Sequence, residues 1–205
     1  MEINQKIGLF GGTFDPVHKG HINMMVSAYR EFELDKLIII PTGHPYQKER
    51  KGRLITAAEH RIKMLEAAVA DLDLNLEIST IESSSTKPNY TVNTIDFFQK
   101  EYPEAKLYWI CGSDILFGID TWKNPAKLLQ KIAFIVIVRG NDTLSEVEAK
   151  KRFLEEKYGA EIYFSQYHGE DISSTMIRNA TDQDLSQVPE SVKQYILDHK
   201  LYDQE

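Results

Sequence analysis

Residues 10–21 read FGGTFDPVHKGH and set two imidazoles, His18 and His21, three positions apart, just after an apolar run and a pair of glycines. At that spacing both rings share one face of the first turn of a helix, where the helix dipole already favours phosphate. Imidazoles so placed donate hydrogen bonds to phosphate oxygens without a full permanent charge, and those bonds strengthen as negative charge builds in a transition state. Gly20 keeps that face uncrowded, while Gly11 and Gly12 stand where a side chain would hold a ligand off the backbone. Asp15-Pro16 turns the chain, and the fixed φ of proline steers it into the helix. A metal site is the rival reading, but no third ligand of zinc type stands close by in sequence. The stretch holds no G-x-G-x-x-G, which speaks against a dinucleotide-binding oxidoreductase. The chemistry expected is the holding of a phosphoryl group during transfer.

A matching segment near the other end, DISSTMIR over residues 171–178, places hydroxyls at a helix start, where they cap it and can also donate to phosphate. Arg178 lies one turn beyond Ser174 and Thr175 and can grip the same anion bidentately. Capping alone is the bland alternative for these hydroxyls. For one phosphate to be held by both segments, the two ends of the chain must meet in space.

The elements that would bring them together are legible as alternating patterns. Apolar runs of strand length occur at Lys6 to Phe10, Lys36 to Pro41, Leu76 to Ile81, Lys106 to Cys111, Ala133 to Val138 and Glu161 to Phe164. Between the first two, Ile22, Met25, Tyr29 and Phe32 share one helical face; later, Thr56 is expected to form a capping box with Glu59 ahead of Ile62, Leu65 and Val69. Further helices are predicted near Val92 to Glu101, Ser145 to Lys157, Ser174 to Ala180 and Pro189 to His199. Strands apolar on both faces, each followed by a helix, imply an α/β fold: a doubly wound, mostly parallel sheet in a single domain over residues 1–205, with a C-terminal helical portion. Polar, Gly- and Pro-broken loops over residues 42–52 and 83–89 leave the carboxyl ends of the second and third strands, the edge where such sheets bind ligands.

Composition narrows the partners. The 205 residues are 42% hydrophobic and 27% charged, and the formal net charge of -7 argues against long nucleic acids while leaving a small anion open. No apolar run is long enough to span a bilayer, and the N-terminus lacks the layout of a signal peptide, so a cytoplasmic protein without a membrane partner is expected. The single cysteine, Cys111, suits a reducing compartment and reads as a small buried hydrophobe. A homo-oligomer is compatible with all of this.

Together, G-x-F-D-P-x-H-x-G-H and I-S-S-T-x-I-R resemble the signatures of the nucleotidyltransferase superfamily named for its H-x-G-H motif. AAEHRIKML, NYTVNTI, the Gly112-Ser113-Asp114 step, Trp122 and VPESVKQYILDHKLY extend the likeness over nearly the whole chain, toward the bacterial nicotinate mononucleotide adenylyltransferases. That resemblance implies a Rossmann-like fold and transfer of the adenylyl group of ATP to nicotinate mononucleotide, with Mg²⁺ accompanying ATP. It implies that His18, His21 and Arg178 do the catalytic work, and that Gly11, Gly12, Thr13, Phe14, Asp114, Ser173 and Thr175 join them around ATP. Lys48, Tyr90, Thr91, Asp114 and Trp122 would meet the mononucleotide, Thr91 through its backbone amide at the nicotinate carboxylate and Trp122 by stacking. Core packing is the alternative for Trp122, but its polar neighbours Asp120, Thr121, Lys123 and Asn124 favour the surface. Where relatives commonly read Pro-Pro-His-Lys this chain has Pro45-Tyr46-Gln47-Lys48, and Asn93 and Ser113 replace a usual Asp and Ala. Other phosphate acceptors (nicotinamide mononucleotide, phosphopantetheine, glycerol phosphate), CTP as donor, and a nucleotide-binding regulator without catalysis are the competing readings.

Overall fold

A strand that is apolar on both faces must be covered on both sides, and the chain does this with one sheet between two helical layers. The computed structural model describes residues 5–43, 55–85, 88–140, 142–180 and 184–202. Strands β1 (Gln5–Gly12), β2 (Lys36–Pro41), β3 (Leu76–Ile78), β4 (Ala105–Gly112), β5 (Ala133–Ile137) and β6 (Glu161–Phe164) lie in the order β3-β2-β1-β4-β5-β6. Every pairing is parallel. The helices among the described residues are α1 (Lys19–Glu31), α2 (Ala58–Val69), α3 (Thr91–Glu101), α4 (Ser113–Gly118), a 3₁₀ turn at Ile119–Thr121, α5 (Pro125–Lys131), α6 (Leu144–Tyr158), α7 (Ser174–Arg178) and α8 (Glu190–Asp198).

Successive strand residues fall alternately into two cores, as the two-residue period of a pleated strand requires. Ile7, Leu9, Ile38, Trp109, Phe134 and Val136 pack on one face with Ile95 and Phe98 of α3, Leu128 of α5 and Leu154 of α6. Leu37, Ile39, Ile110, Ile135 and Ile137 pack on the other with Met25 of α1, Leu65 of α2, Ile177 of α7 and Ile196 of α8. The C-terminal helices therefore share a layer with α1.

Two local expectations need correction, and two short helices were not expected. β3 ends at Ile78, not Ile81: after the Ser79 amide bonds the Ile39 carbonyl (2.8 Å), the chain turns. The Thr56–Glu59 capping box does not form; α2 opens at Ala58 behind Ala57 without a side-chain cap, and the Thr56 carbonyl instead accepts from Nε of the buried Arg61 (2.8 Å). Helices α4 and α5, of 6 and 7 residues, have no counterpart in the sequence pattern, because so few turns carry no readable period. Asn124 in the left-handed region (φ 53) followed by Pro125 starts α5.

Strand order reverses between β1 and β4, and in sheets of this order ligands bind outside the carboxyl ends of the strands at that reversal. β1 runs there into the Gly11–His18 turn and β4 into Gly112-Ser113-Asp114. Gly8, deep in β1, has no room for a side chain, since a Cβ would stand 2.7 Å from Leu34 Cδ1, 2.8 Å from Leu37 Cδ1 and 2.9 Å from Ile110 Cδ1. Gly8→Ala is expected to cost about 1–3 kcal/mol of stability by overpacking. A urea or thermal denaturation midpoint equal to that of the parent would contradict this packing.

Candidate active site

The two histidines cap the helix they introduce. His18 is the N-cap of α1 and His21 its third residue; the His21 amide donates to His18 Nδ1, and the His18 amide donates to His21 Nδ1, both at 3.3 Å. A neutral imidazole has one N–H and one acceptor nitrogen, so accepting at Nδ1 leaves the proton on Nε2 of each ring. The backbone thereby sets both tautomers. The rings stack with centroids 3.6 Å apart, and Phe14 meets the His21 ring edge-on at 5.1 Å. His18 is 2% exposed, and burial, assisted by the nearby positive charge of Arg139, pushes its pKa down to about 4. It is thus a neutral Nε2–H donor throughout the physiological range. Gly20 allows this arrangement, because a Cβ there would press to 3.2 Å from His18 Nδ1 and 3.3 Å from its Cε1.

The second segment meets the first. Arg178 Nη1 donates to the Asp15 carbonyl and Nη2 to Thr175 Oγ1 (3.1 Å), while Ser174 Oγ donates to the Pro16 carbonyl (2.9 Å). Ser173 caps α7 by accepting the Met176 amide at 3.2 Å. Residues 171–178 are led there by the ladder contact of Arg139 with Gly169 at the end of β5. Imidazole, hydroxyl and guanidinium donors from both ends of the chain therefore surround one turn at the carboxyl end of β1.

Across the reversal, Asp114 is held by Arg139 through Nε–Oδ1 (3.0 Å) and Nη2–Oδ2 (2.7 Å), a bidentate pair. Gly112 must be glycine for that pair, since a Cβ would lie 2.5 Å from Asp114 Oδ1. Ser113, fully buried, donates to Asp142 (2.6 Å) and accepts the Arg139 amide (3.2 Å), fixing the segment that carries Arg139. The sequence reading missed Arg139; its place directly after the apolar run of β5, at the ligand-binding edge, was the available signal.

Tyr90, the residue ahead of α3, lines a cavity of about 470 Å³ with Ile81, Glu82, Asn93, Thr94 and Lys123, and Lys123 Nζ stands 4.0 Å from the centre of its ring. Thr91 is the first residue of α3, so its amide has no carbonyl partner within the helix. Trp122 ends the 3₁₀ turn half-buried and packs against the core on the α3 face; neither it nor Thr91 lines that cavity. Glu82, 6% exposed, accepts from Thr94 Oγ1 (2.6 Å), and burial pushes its carboxyl pKa up. Lys48 lies outside the described residues.

The glycines of the first turn serve packing in this structure. The room left by Gly11 is filled by Trp109, whose ring a Cβ would meet at 2.7 Å, and the room left by Gly12 by the Phe14 ring at 2.8 Å. Phe14 itself takes a positive φ of 51° and is buried, and the Thr13 carbonyl accepts Arg61 Nη1 at 2.7 Å. Cys111 is buried as a free thiol whose pKa burial pushes up, so it stays unreactive.

By fold the chain is a doubly wound α/β protein of the nucleotide-binding kind. It belongs to the cytidylyltransferase-like family, whose model matches residues 9–180. It is 34% identical over 97% of its length to a probable nicotinate-nucleotide adenylyltransferase of Clostridium tetani, 99% of which is covered. One of Neisseria meningitidis serogroup A is 33% identical, with 97% and 99% covered. The fold matches Plasmodium falciparum nicotinic acid mononucleotide adenylyltransferase complexed with NaAD, at a TM-score of 0.79 and 19% identity over 98% of both chains.

The depressed His18 pKa has a consequence for stability. Below 6.5 the unfolded chain binds a proton on His18 that the folded chain refuses until about pH 4, so this group makes stability rise with pH across that window and leaves it at full strength above. An asparagine side chain could still cap the helix but would not titrate, so His18→Asn should remove up to about 1.4 kcal/mol per pH unit from that slope. Denaturant midpoints measured from pH 4 to 7 check this; an unchanged slope in the variant would show that His18 titrates normally.

Proposed function

We propose that this protein transfers the adenylyl group of ATP to nicotinate mononucleotide, giving nicotinate adenine dinucleotide and diphosphate, a step of NAD biosynthesis carried out in the cytoplasm. The observation that carries it is the meeting of the stacked His18–His21 pair with Arg178 at one turn; full-length relatives named for this activity supply the acceptor.

In this reading a 5'-phosphate oxygen of the mononucleotide attacks the α-phosphorus of ATP in line, and the bond from that phosphorus to the diphosphate oxygen breaks as the new P–O bond forms. The nucleophile is already anionic at neutral pH, because the second phosphate pKa is about 6, so no base is required. Rate comes from alignment and from neutralising the charge that moves onto the diphosphate. The Nε2–H groups of His18 and His21, the amino end of α1 and Arg178 face that charge, with Ser173 and Thr175 beside them. Gly11, Gly12, Thr13 and Phe14 flank the nucleotide, and Asp114 meets ribose once its pairing with Arg139 is exchanged. Thr91 offers its amide to the nicotinate carboxylate, Trp122 stacks on the ring, and Tyr90 and Lys48 complete the acceptor site. Imidazole, hydroxyl and guanidinium donors suit phosphate oxygens and not a hard cation, so Mg²⁺ would be held by the ATP phosphates and water, lending further charge neutralisation.

Purified protein is expected to release diphosphate from ATP with nicotinate mononucleotide far faster than with nicotinamide mononucleotide, phosphopantetheine or glycerol phosphate, and faster than from CTP. His21→Ala and Arg178→Ala, shown folded by circular dichroism, should each lower kcat/KM by about 100-fold or more. Near-parental turnover in either variant would remove that residue from the transfer step, and preference for another acceptor would replace the substrate.

A further inference from the structure

Asp15 sits in the turn between β1 and His18, and its side chain is 1% exposed. A carboxylate so far from water persists only with hydrogen-bonded and charged partners. One comes from the far end of the chain: the Tyr202 hydroxyl donates to Asp15 Oδ1 at 2.8 Å. Burial and the Asp15 charge both push the Tyr202 pKa up, so the hydroxyl remains a donor. Arg178 Nη1 lies 3.9 Å from Asp15 Oδ2 while donating to the Asp15 carbonyl.

A second arginine, Arg61, is also 1% exposed; burial lowers its pKa, and the charge of Asp15 acts against that loss. Arg61 spends its donors on three carbonyls: Thr13 (Nη1, 2.7 Å), Thr56 (Nε, 2.8 Å) and Gly43 (Nη2, 3.5 Å). These belong to the turn after β1, the approach to α2 and the loop leaving β2. Gly43 is pinned from the other side as well, since a Cβ there would lie 2.2 Å from the Glu82 carbonyl.

We propose that Asp15, Arg61 and Tyr202 are positioning residues for the transfer reaction: Tyr202 and Arg178 both engage the Asp15 carboxylate, Arg61 ties the Thr13 carbonyl to two neighbouring segments, and together they set where Arg178 points and how the turn before His18 is held. The C-terminal segment is thereby part of the active centre. The inference rests on Arg178 and the two histidines being the phosphate donors. Without the Tyr202 hydroxyl, the Asp15 carboxylate would draw closer to Arg178 and compete with diphosphate for it. A hydroxyl that only docked the C-terminal helix would have no such selective effect.

The comparison is between Tyr202→Phe and Tyr195→Phe. Tyr195, on α8 of the same segment, pairs its hydroxyl with His60 Nδ1 at 3.0 Å. Titration calorimetry with inorganic diphosphate and with nicotinate mononucleotide is run beside steady-state kinetics. Tyr202→Phe is expected to weaken diphosphate binding about tenfold and to lower kcat about tenfold, leaving mononucleotide affinity within twofold; Tyr195→Phe should leave all three near parental. Arg61→Lys, which keeps the charge but cannot serve three carbonyls in one plane, should show the same split and takes the place of Tyr202→Phe if that variant does not fold. Parental diphosphate affinity and kcat in the folded variant, or equal losses in Tyr195→Phe, overturn the proposal. A parental protein that neither binds diphosphate nor transfers adenylate would instead overturn the functional reading beneath it.

Discussion

At the start of α1 the backbone amides without intrahelical partners must find acceptors, and this chain gives those of His18 and His21 imidazole nitrogens where serine, threonine or aspartate usually serves. The choice has a chemical consequence that a hydroxyl cap would not have. By consuming Nδ1 of His18 and of His21, the helix start obliges each neutral ring to carry its proton on Nε2, and by stacking them at 3.6 Å it disfavours charging both. The burial that keeps His18 neutral acts in the same direction. Local folding and the donor chemistry of the site are one set of hydrogen bonds.

The rest of the architecture serves that turn. The parallel sheet brings the carboxyl ends of β1 and β4 side by side, so the imidazole pair and the Asp114–Arg139 pair flank one crevice. The C-terminal third then returns over the α1 layer: the Lys19 amide bonds the Gln187 carbonyl (2.9 Å), Ser174 reaches Pro16, and Tyr202 reaches Asp15. Contacts this distant in sequence bring Arg178 to a turn at the other end of the chain, with the Arg178–Asp15 bond spanning 163 positions.

Much of this was legible in the chain. Strand runs such as Lys36 to Pro41 and Glu161 to Phe164 coincide with β2 and β6, because apolar segments bounded by polar turns have few ways to be buried. The H-x-G-H spacing announced two imidazoles side by side at a helix start, though His18 proves to be the extended N-cap and not a residue of the first turn, and the DISSTMIR hydroxyls announced a capped helix. What stayed hidden was tertiary. No pattern says that Arg61, in a helix whose apolar residues carry the period, is buried to bind three carbonyls, or that Asp15 does more than turn the chain. Nor could spacing show that Gly11 and Gly12 make room for Trp109 and Phe14, since the partner rings come from other parts of the fold or from an unusual φ.

The central claim, that backbone capping places the proton of both imidazoles on Nε2, is tested most directly by long-range ¹H–¹⁵N correlation spectra of protein labelled with ¹⁵N-histidine at pH 7. The account predicts that His18 and His21 both show a protonated Nε2 and a bare, hydrogen-bond-accepting Nδ1. A proton on Nδ1 of either ring, or an imidazolium at His18, would contradict it.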